Sequence, residues 1–249
     1  MVMDATAAQE TFTAYGPSHG AMLVVFVLGA LVLVRFGRRH RHSPTERQVT
    51  RVFGAVLLAA AVIALGYTLT ARDRPLVDTL PLHLSDLAGF VAAAALLTRS
   101  RRAFALTYYW CLTLSPQALF FPVLDAPDFP HHEFVAFWGL HLLVVWAAVY
   151  LTWGLGRHPT WQDWRTTVTI TAAWAAVAML VNSVTGTNYG YLNRKPATGS
   201  VLDLLGPWPW YVVAEVALIL TAWALLTWPW TRRTRRPRRR DSVGGLPTT

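Results

Sequence analysis

Seven apolar stretches, joined by short polar or basic connections, constrain this sequence more than any other feature. A bilayer core takes ~17–25 predominantly apolar residues as a helix. The stretches run from about Gly20–Phe36, Val52–Thr70, Leu82–Thr98, Ala103–Phe121, Phe134–Trp153, Val168–Thr185 and Trp210–Trp228. Lipid offers no water to open backbone groups, so each stretch must be helical. The expected fold class is therefore all-α, a polytopic membrane protein built as a seven-transmembrane-helix bundle. Only 14% of residues are charged while 54% are hydrophobic, against about a quarter charged in a soluble domain. That excludes an ordinary soluble domain and, equally, intrinsic disorder. The single cysteine, Cys111, excludes an intrachain disulfide, a CxxC redox pair and a thiolate zinc cluster. Residues 1–230 read as one transmembrane domain and 231–249 as an Arg-rich, disordered cytoplasmic tail. No basic n-region precedes the first apolar run, so a secretory signal is not expected.

The net charge of +9 would suit nucleic acid only if the basic residues formed one face. They sit instead in clusters between apolar runs, as membrane flanks do, and no nucleic-acid partner is expected. Of the 22 Lys and Arg residues, 18 fall on one side: Arg35 through Arg51, Arg99–Arg102, Arg157 and Arg165, and the tail. The other side holds four, namely Arg72, Arg74, Arg194 and Lys195. The positive-inside rule then sets the N-terminus outside and the C-terminus in the cytoplasm, as a multi-pass protein of the cell (plasma) membrane.

Ionisable groups inside lipid are costly and mark function. His83, Ser85 and Asp86 open the third span, and Ser115 with Gln117 closes the fourth. His131, His132 and Glu133 open the fifth, with His141 about two turns deeper. Asn182, Thr185, Asn188 and Tyr189 close the sixth, and Glu215 lies near the start of the seventh. With this orientation all lie in the outer half of the bundle, which predicts a polar cavity open to that side. Bland roles compete: His83 and Asp86, at i and i+3, can satisfy each other. Asn182 and Thr185 can be interhelical glue, and Trp208, Trp210, Trp228 and Trp230 fit an interfacial belt.

A hydroxyl, an imidazole and a carboxylate are the ingredients of acyl transfer. A zinc hydrolase would need a His pair in the last span, which has no histidine; no metal and no cofactor are expected. A retinal protein is excluded because Lys195, in a loop, is the only lysine. A transporter fits poorly, since the polar groups stop halfway across and no span is broken at mid-membrane. The main alternative to an enzyme is a non-catalytic lipid-binding or scaffold protein.

Several segments carry a family resemblance: Tyr15-Gly16-Pro17-Ser18-His19, Leu80-Pro81-Leu82-His83-Leu84, and Phe129-Pro130-His131 with His141. The longest runs from Gly186-Thr187-Asn188-Tyr189-Gly190-Tyr191-Leu192 through Lys195-Pro196 and Leu202-Asp203 to Leu205-Gly206-Pro207-Trp208-Pro209-Trp210-Tyr211. In these the chain resembles the YwaF family of bacterial integral membrane proteins over all but its tail. That family is in turn similar, more distantly, to a eukaryotic seven-span acyltransferase that remodels ether phospholipids and to the androgen-induced hydrolases of fatty-acid esters. In those relatives a Cys or Thr nucleophile follows the Leu-Pro-Leu-His-Leu motif, where this chain has Ser85. Its partner histidine matches His141. The resemblance implies a lipid acyltransferase or lipid ester hydrolase with Ser85 as nucleophile and His141 as general base. Its partner is a membrane lipid substrate, a phospholipid being one candidate. His83, Asp86, Asn182 and Glu215 are candidates for orienting the base or binding polar groups. Asn188 and Tyr189, with Arg194 and Lys195, belong to a segment expected to form an ordered lid, its two basic residues holding a phosphate head group.

Overall fold

The computed structural model describes residues 11–70, 75–195 and 201–233. Arg72, Arg74, Pro196 and most of the basic tail lie outside these residues. Eight α-helices carry the described chain: α1 Pro17–Arg39, α2 Pro44–Thr70, α3 Leu84–Thr98, α4 Arg101–Thr113, α5 Ser115–Phe120, α6 His132–Val149, α7 Trp161–Thr185 and α8 Trp210–Arg233. Five helices among the described residues are long and apolar enough to cross a membrane: α1, α2, α6 with the turn that follows it, α7 and α8. α3 is apolar but shorter.

The fourth apolar stretch is not one continuous helix. It breaks at Leu114 into α4 and α5. Pro116 is the cause: it has no N–H to give and its ring would meet the Leu112 carbonyl one turn back. α4 does not need to match the bilayer, because it is the centre of the bundle. Every residue from Phe104 to Cys111 is buried, the pattern of a helix enclosed on all sides. Its aromatic donors reach outward to neighbours. The Tyr108 hydroxyl donates to the Leu226 carbonyl at 3.0 Å, and the Tyr109 and Thr227 hydroxyls bond at 2.6 Å. The Trp110 indole donates to Thr171 at 2.9 Å.

The basic end is closed by two ion pairs. Thr160 and Asp163 form a capping box at the start of α7, a local pattern that satisfies orphan N–H groups reciprocally. Arg101 forks onto the same Asp163, Nε to Oδ1 at 2.8 Å and Nη2 to Oδ2. Arg99, left-handed at φ 57 just past α3, sends Nη2 to the buried Glu46 at 2.8 Å.

α6 does not end cleanly. Tyr150–Gly154 continue it as a π-helical turn, and α1 docks there. A Cβ on Gly37 would lie 2.8 Å from the Gly154 Cα, and one on Gly29 would lie 2.2 Å from the Trp146 ring. Only glycine allows these two backbones so close, as in membrane helix pairs generally. Most of the rest of α1 is exposed.

Candidate functional site

The end of the bundle opposite the arginine cluster is organised around one amide. Asn182, buried near the end of α7, uses both ends of its side chain. Its Oδ1 accepts from the Tyr189 N–H at 2.7 Å and the Thr187 hydroxyl at 3.0 Å. Its Nδ2 donates to the Tyr189 carbonyl at 3.0 Å and to Asn193 Oδ1 at 2.9 Å. An amide with these four partners has no capacity left for a substrate. Asn188 is also committed: its Nδ2 donates to the Arg194 carbonyl at 2.7 Å, and its Oδ1 accepts from the Asn193 and Arg194 N–H groups.

The turn so formed is locked onto the segment that leads into α3. The Tyr189 hydroxyl donates to the Val77 carbonyl at 2.5 Å, and burial pushes its pKa up, which keeps it a donor. The Gly190 N–H reaches His83 Nδ1 at 3.4 Å, and the His83 ring lies edge-on to Tyr189 at 5.1 Å. Gly190 sits at φ +66, and a Cβ there would be 2.5 Å from the Trp174 ring; both conditions require glycine. The Trp174 indole in turn donates to the Leu82 carbonyl at 2.9 Å, and the Tyr211 hydroxyl donates to the Tyr191 carbonyl at 2.5 Å. Thr187, Asn193, Trp174 and Tyr211 were not among the sequence candidates. The signal was available for Trp174, whose indole within an apolar span needs an acceptor.

Asp86 caps its own helix, accepting from the His83 backbone N–H at 3.2 Å rather than from the His83 ring. Lys195 stands 3.6 Å from Asp203 and over the Tyr211 ring at 5.7 Å. Arg194 sends Nη2 to the Gly186 carbonyl at 3.2 Å. Glu215 keeps Oε2 buried and without a hydrogen-bond partner among the described residues.

Ser85 and His141 are different from this group. Ser85 is exposed in the first turn of α3 and makes no hydrogen bond among the described residues. His141 donates from Nδ1 to the Phe137 carbonyl at 2.7 Å. A carbonyl can only accept, so Nδ1 carries the proton of the neutral ring and Nε2 is left as the basic nitrogen. α3 and α6 meet where Gly89 faces Leu140, a Cβ on the glycine being 3.6 Å from the Leu140 side chain. Ser85 lies one turn along that face of α3, about 6 Å nearer the helix start, and His141 adjoins Leu140. No hydrogen bond joins Ser85 to His141 among the described residues.

The YGPSH segment at the start of α1 is structural as folded. His19 is buried, its Nδ1 accepting from the Tyr15 N–H at 2.9 Å and its Nε2 bonding the Leu119 carbonyl at 2.9 Å. Ser18 bonds Asp128 at 2.5 Å. These contacts tie the helix start to the segments around α5.

An all-helical membrane protein with a loop hub at one end and an arginine-braced other end is the class that these features define. Within that class the chain belongs to the TMEM164 family, whose model matches residues 14–227. No curated protein and no solved structure matches the chain.

Proposed function

We propose that this protein is a lipid acyltransferase or lipid ester hydrolase of the cell membrane, with Ser85 as nucleophile and His141 as general base. The observation that carries the reading is the state of His141. Its Nδ1 is held by the Phe137 carbonyl, so a basic Nε2 is kept on the helix that packs against α3. The offset of about a turn between Ser85 and His141 suits a pair that closes on substrate, since catalytic hydrogen bonds often tighten only when substrate binds. In the reaction Ser85 Oγ attacks the ester carbonyl carbon while Nε2 takes the hydroxyl proton. The C–O bond then breaks, the departing alcohol takes that proton, and the acyl group remains on Ser85. Water or a second lipid alcohol, deprotonated by the same Nε2, attacks this ester and restores Ser85. Glu215, with one oxygen unpartnered among the described residues, is the candidate for holding a polar group of the substrate.

The seven-span, N-out and C-in arrangement belongs to this proposal, with α3 and the α4–α5 pair completing the five longer helices. It puts Ser85 at the outer leaflet. The likeness to YwaF proteins and their acyltransferase relatives, which rests on the Leu80–Leu84 and Gly186–Tyr211 motifs, supports the same chemistry. A scaffold role is the second reading, favoured by the commitment of Asn182, Asn188 and Tyr189 to loop structure.

The deciding experiment is labelling of the membrane-embedded protein with a fluorophosphonate probe. Labelling that disappears in Ser85→Ala and falls at least about tenfold in His141→Gln supports the enzyme. Equal labelling of wild type and Ser85→Ala, together with identical lipid profiles in a deletion strain rescued by either, leaves the scaffold reading.

A further inference from the structure

At the basic end, away from Ser85, the C-terminus of α1, the π-helical turn after α6 and the last turns of α8 enclose a cavity of about 440 Å³. Arg38, Arg41, Thr152, Trp153, His158 and Trp230 are in its wall, and among the described residues no carboxylate is. The π-helical turn presents its carbonyls to α1 and the residues just beyond. Arg38 Nε donates to the Trp153 carbonyl at 3.1 Å, and Arg41 donates from Nε to the Gly154 carbonyl at 2.7 Å and from Nη2 to the Trp153 carbonyl at 3.2 Å. Each guanidinium is thus pinned along one edge. Among the described residues the Arg38 Nη1 and Nη2 groups and Arg41 Nη1 make no hydrogen bond, and neither arginine is paired with an acid. The buried acids of this end, Glu46 and Asp163, are held by Arg99 and Arg101.

Thr152 supplies a second, independent observation. It is fully buried, yet its Oγ1 has no hydrogen-bond partner among the described residues. A helical threonine ordinarily bonds back to the carbonyl one turn before it, and this one does not. Trp230 and His158 stack at 4.3 Å along another wall. A neighbouring cavity of about 570 Å³ shares Arg38 and adds Arg35 and Arg39 above Leu31 and Val34.

We infer that this cavity binds a phosphate group, carried by a glycerophospholipid or by a soluble phosphate compound. Planar guanidinium forks fixed at one edge match phosphate oxygens, and the Thr152 hydroxyl supplies a further donor in the wall. Two tryptophans at the rim suit the depth at which head groups lie. Leu31 and Val34, below the second group of arginines, offer an apolar path for acyl chains. The inference does not rest on the Ser85 and His141 reading, and it stands at the opposite end of the bundle.

The test uses the full chain purified in a neutral detergent. Its thermal unfolding is followed against dihexanoyl phosphatidic acid and, separately, inorganic phosphate. Saturable stabilisation is expected. Thr152→Val should weaken it about tenfold, as loss of one hydrogen bond to a charged group does, while the ligand-free melting temperature stays level or rises. Arg38→Gln should weaken it similarly, and Arg47→Gln, an exposed arginine outside the wall, should not. A response to both probes marks the phosphate group as sufficient, and a response to the lipid alone requires its chains; either supports the site. No saturable response, or unchanged affinity in Thr152→Val, overturns it. Should Arg38→Gln fail to fold for want of its brace on Trp153, Thr152→Val still decides.

Discussion

Asn182 shows how a polar residue within an apolar span can serve entirely to build structure. Its oxygen faces one N–H and one hydroxyl, its nitrogen a carbonyl and an amide oxygen, so the two ends of the amide are not interchangeable. Replacing it by Leu leaves the Tyr189 N–H and carbonyl buried without partners, at about 1–3 kcal/mol for each such group, while Thr187 keeps its bond to the Thr185 hydroxyl. We expect Asn182→Leu to lower the melting temperature of the detergent-solubilised protein by about 5–10 °C, with Asn182→Asp also destabilised because it cannot donate to the Tyr189 carbonyl. Unchanged melting in both variants would remove the hub. The sequence marks Asn182, Asn188 and Tyr189 as unusual, but hydropathy cannot tell an amide that binds substrate from one that binds its own loop. That distinction rests on Thr187 and Asn193, whose polar character is ordinary for a loop and carries no signal. Ser85 and His141 differ because each keeps unused hydrogen-bonding capacity.

Among the elements, α1 is held by its glycines and by two arginines rather than by a broad apolar face. Gly37 meets the backbone of Gly154, which cannot move aside as a side chain can. Gly37→Ala is therefore expected to cost about 1–3 kcal/mol, in the range of overpacked sites. Gly29→Ala meets the Trp146 ring, whose indole is anchored to the Phe26 carbonyl at 2.9 Å, and should cost a similar amount. Protease accessibility of the α1–α2 connection would report the loosening; equal protection in both variants would show that α1 is seated by other contacts. The apolar periods make the helices legible, and α1, α2, α7 and α8 extend beyond their apolar stretches because polar first and last turns lie at the ends. The α4 break is also readable, since Pro116 sits inside the stretch. The π-helical turn is not, because nothing in Tyr150–Gly154 differs from an ordinary helix end; the close approach of Gly37 to it is a tertiary contact that no local pattern encodes.

At the scale of the whole molecule the two ends carry different chemistry. One end spends its polar groups on a loop hub beside Ser85, and the other spends its carboxylates on Arg99 and Arg101. The proposed topology predicts that a reporter active only outside the cytoplasm is silent when fused after Arg233, and that a cytoplasmic reporter there is active. The reverse pair of results would put the Ser85 end on the cytoplasmic side. The seat of α1 also has a consequence for how the protein is made. Gly154 follows Arg39 by about 115 residues, so at ~5–20 residues per second α1 leaves the ribosome on the order of ten seconds before the turn that receives it. During that interval its glycines have neither Trp146 nor Gly154 to meet, and Arg38 and Arg41 lack the Trp153 and Gly154 carbonyls that hold them in the folded protein. Defects in the seat would therefore surface during biogenesis, as nascent chains removed before assembly, and would register as low yield rather than as altered behaviour of the assembled protein.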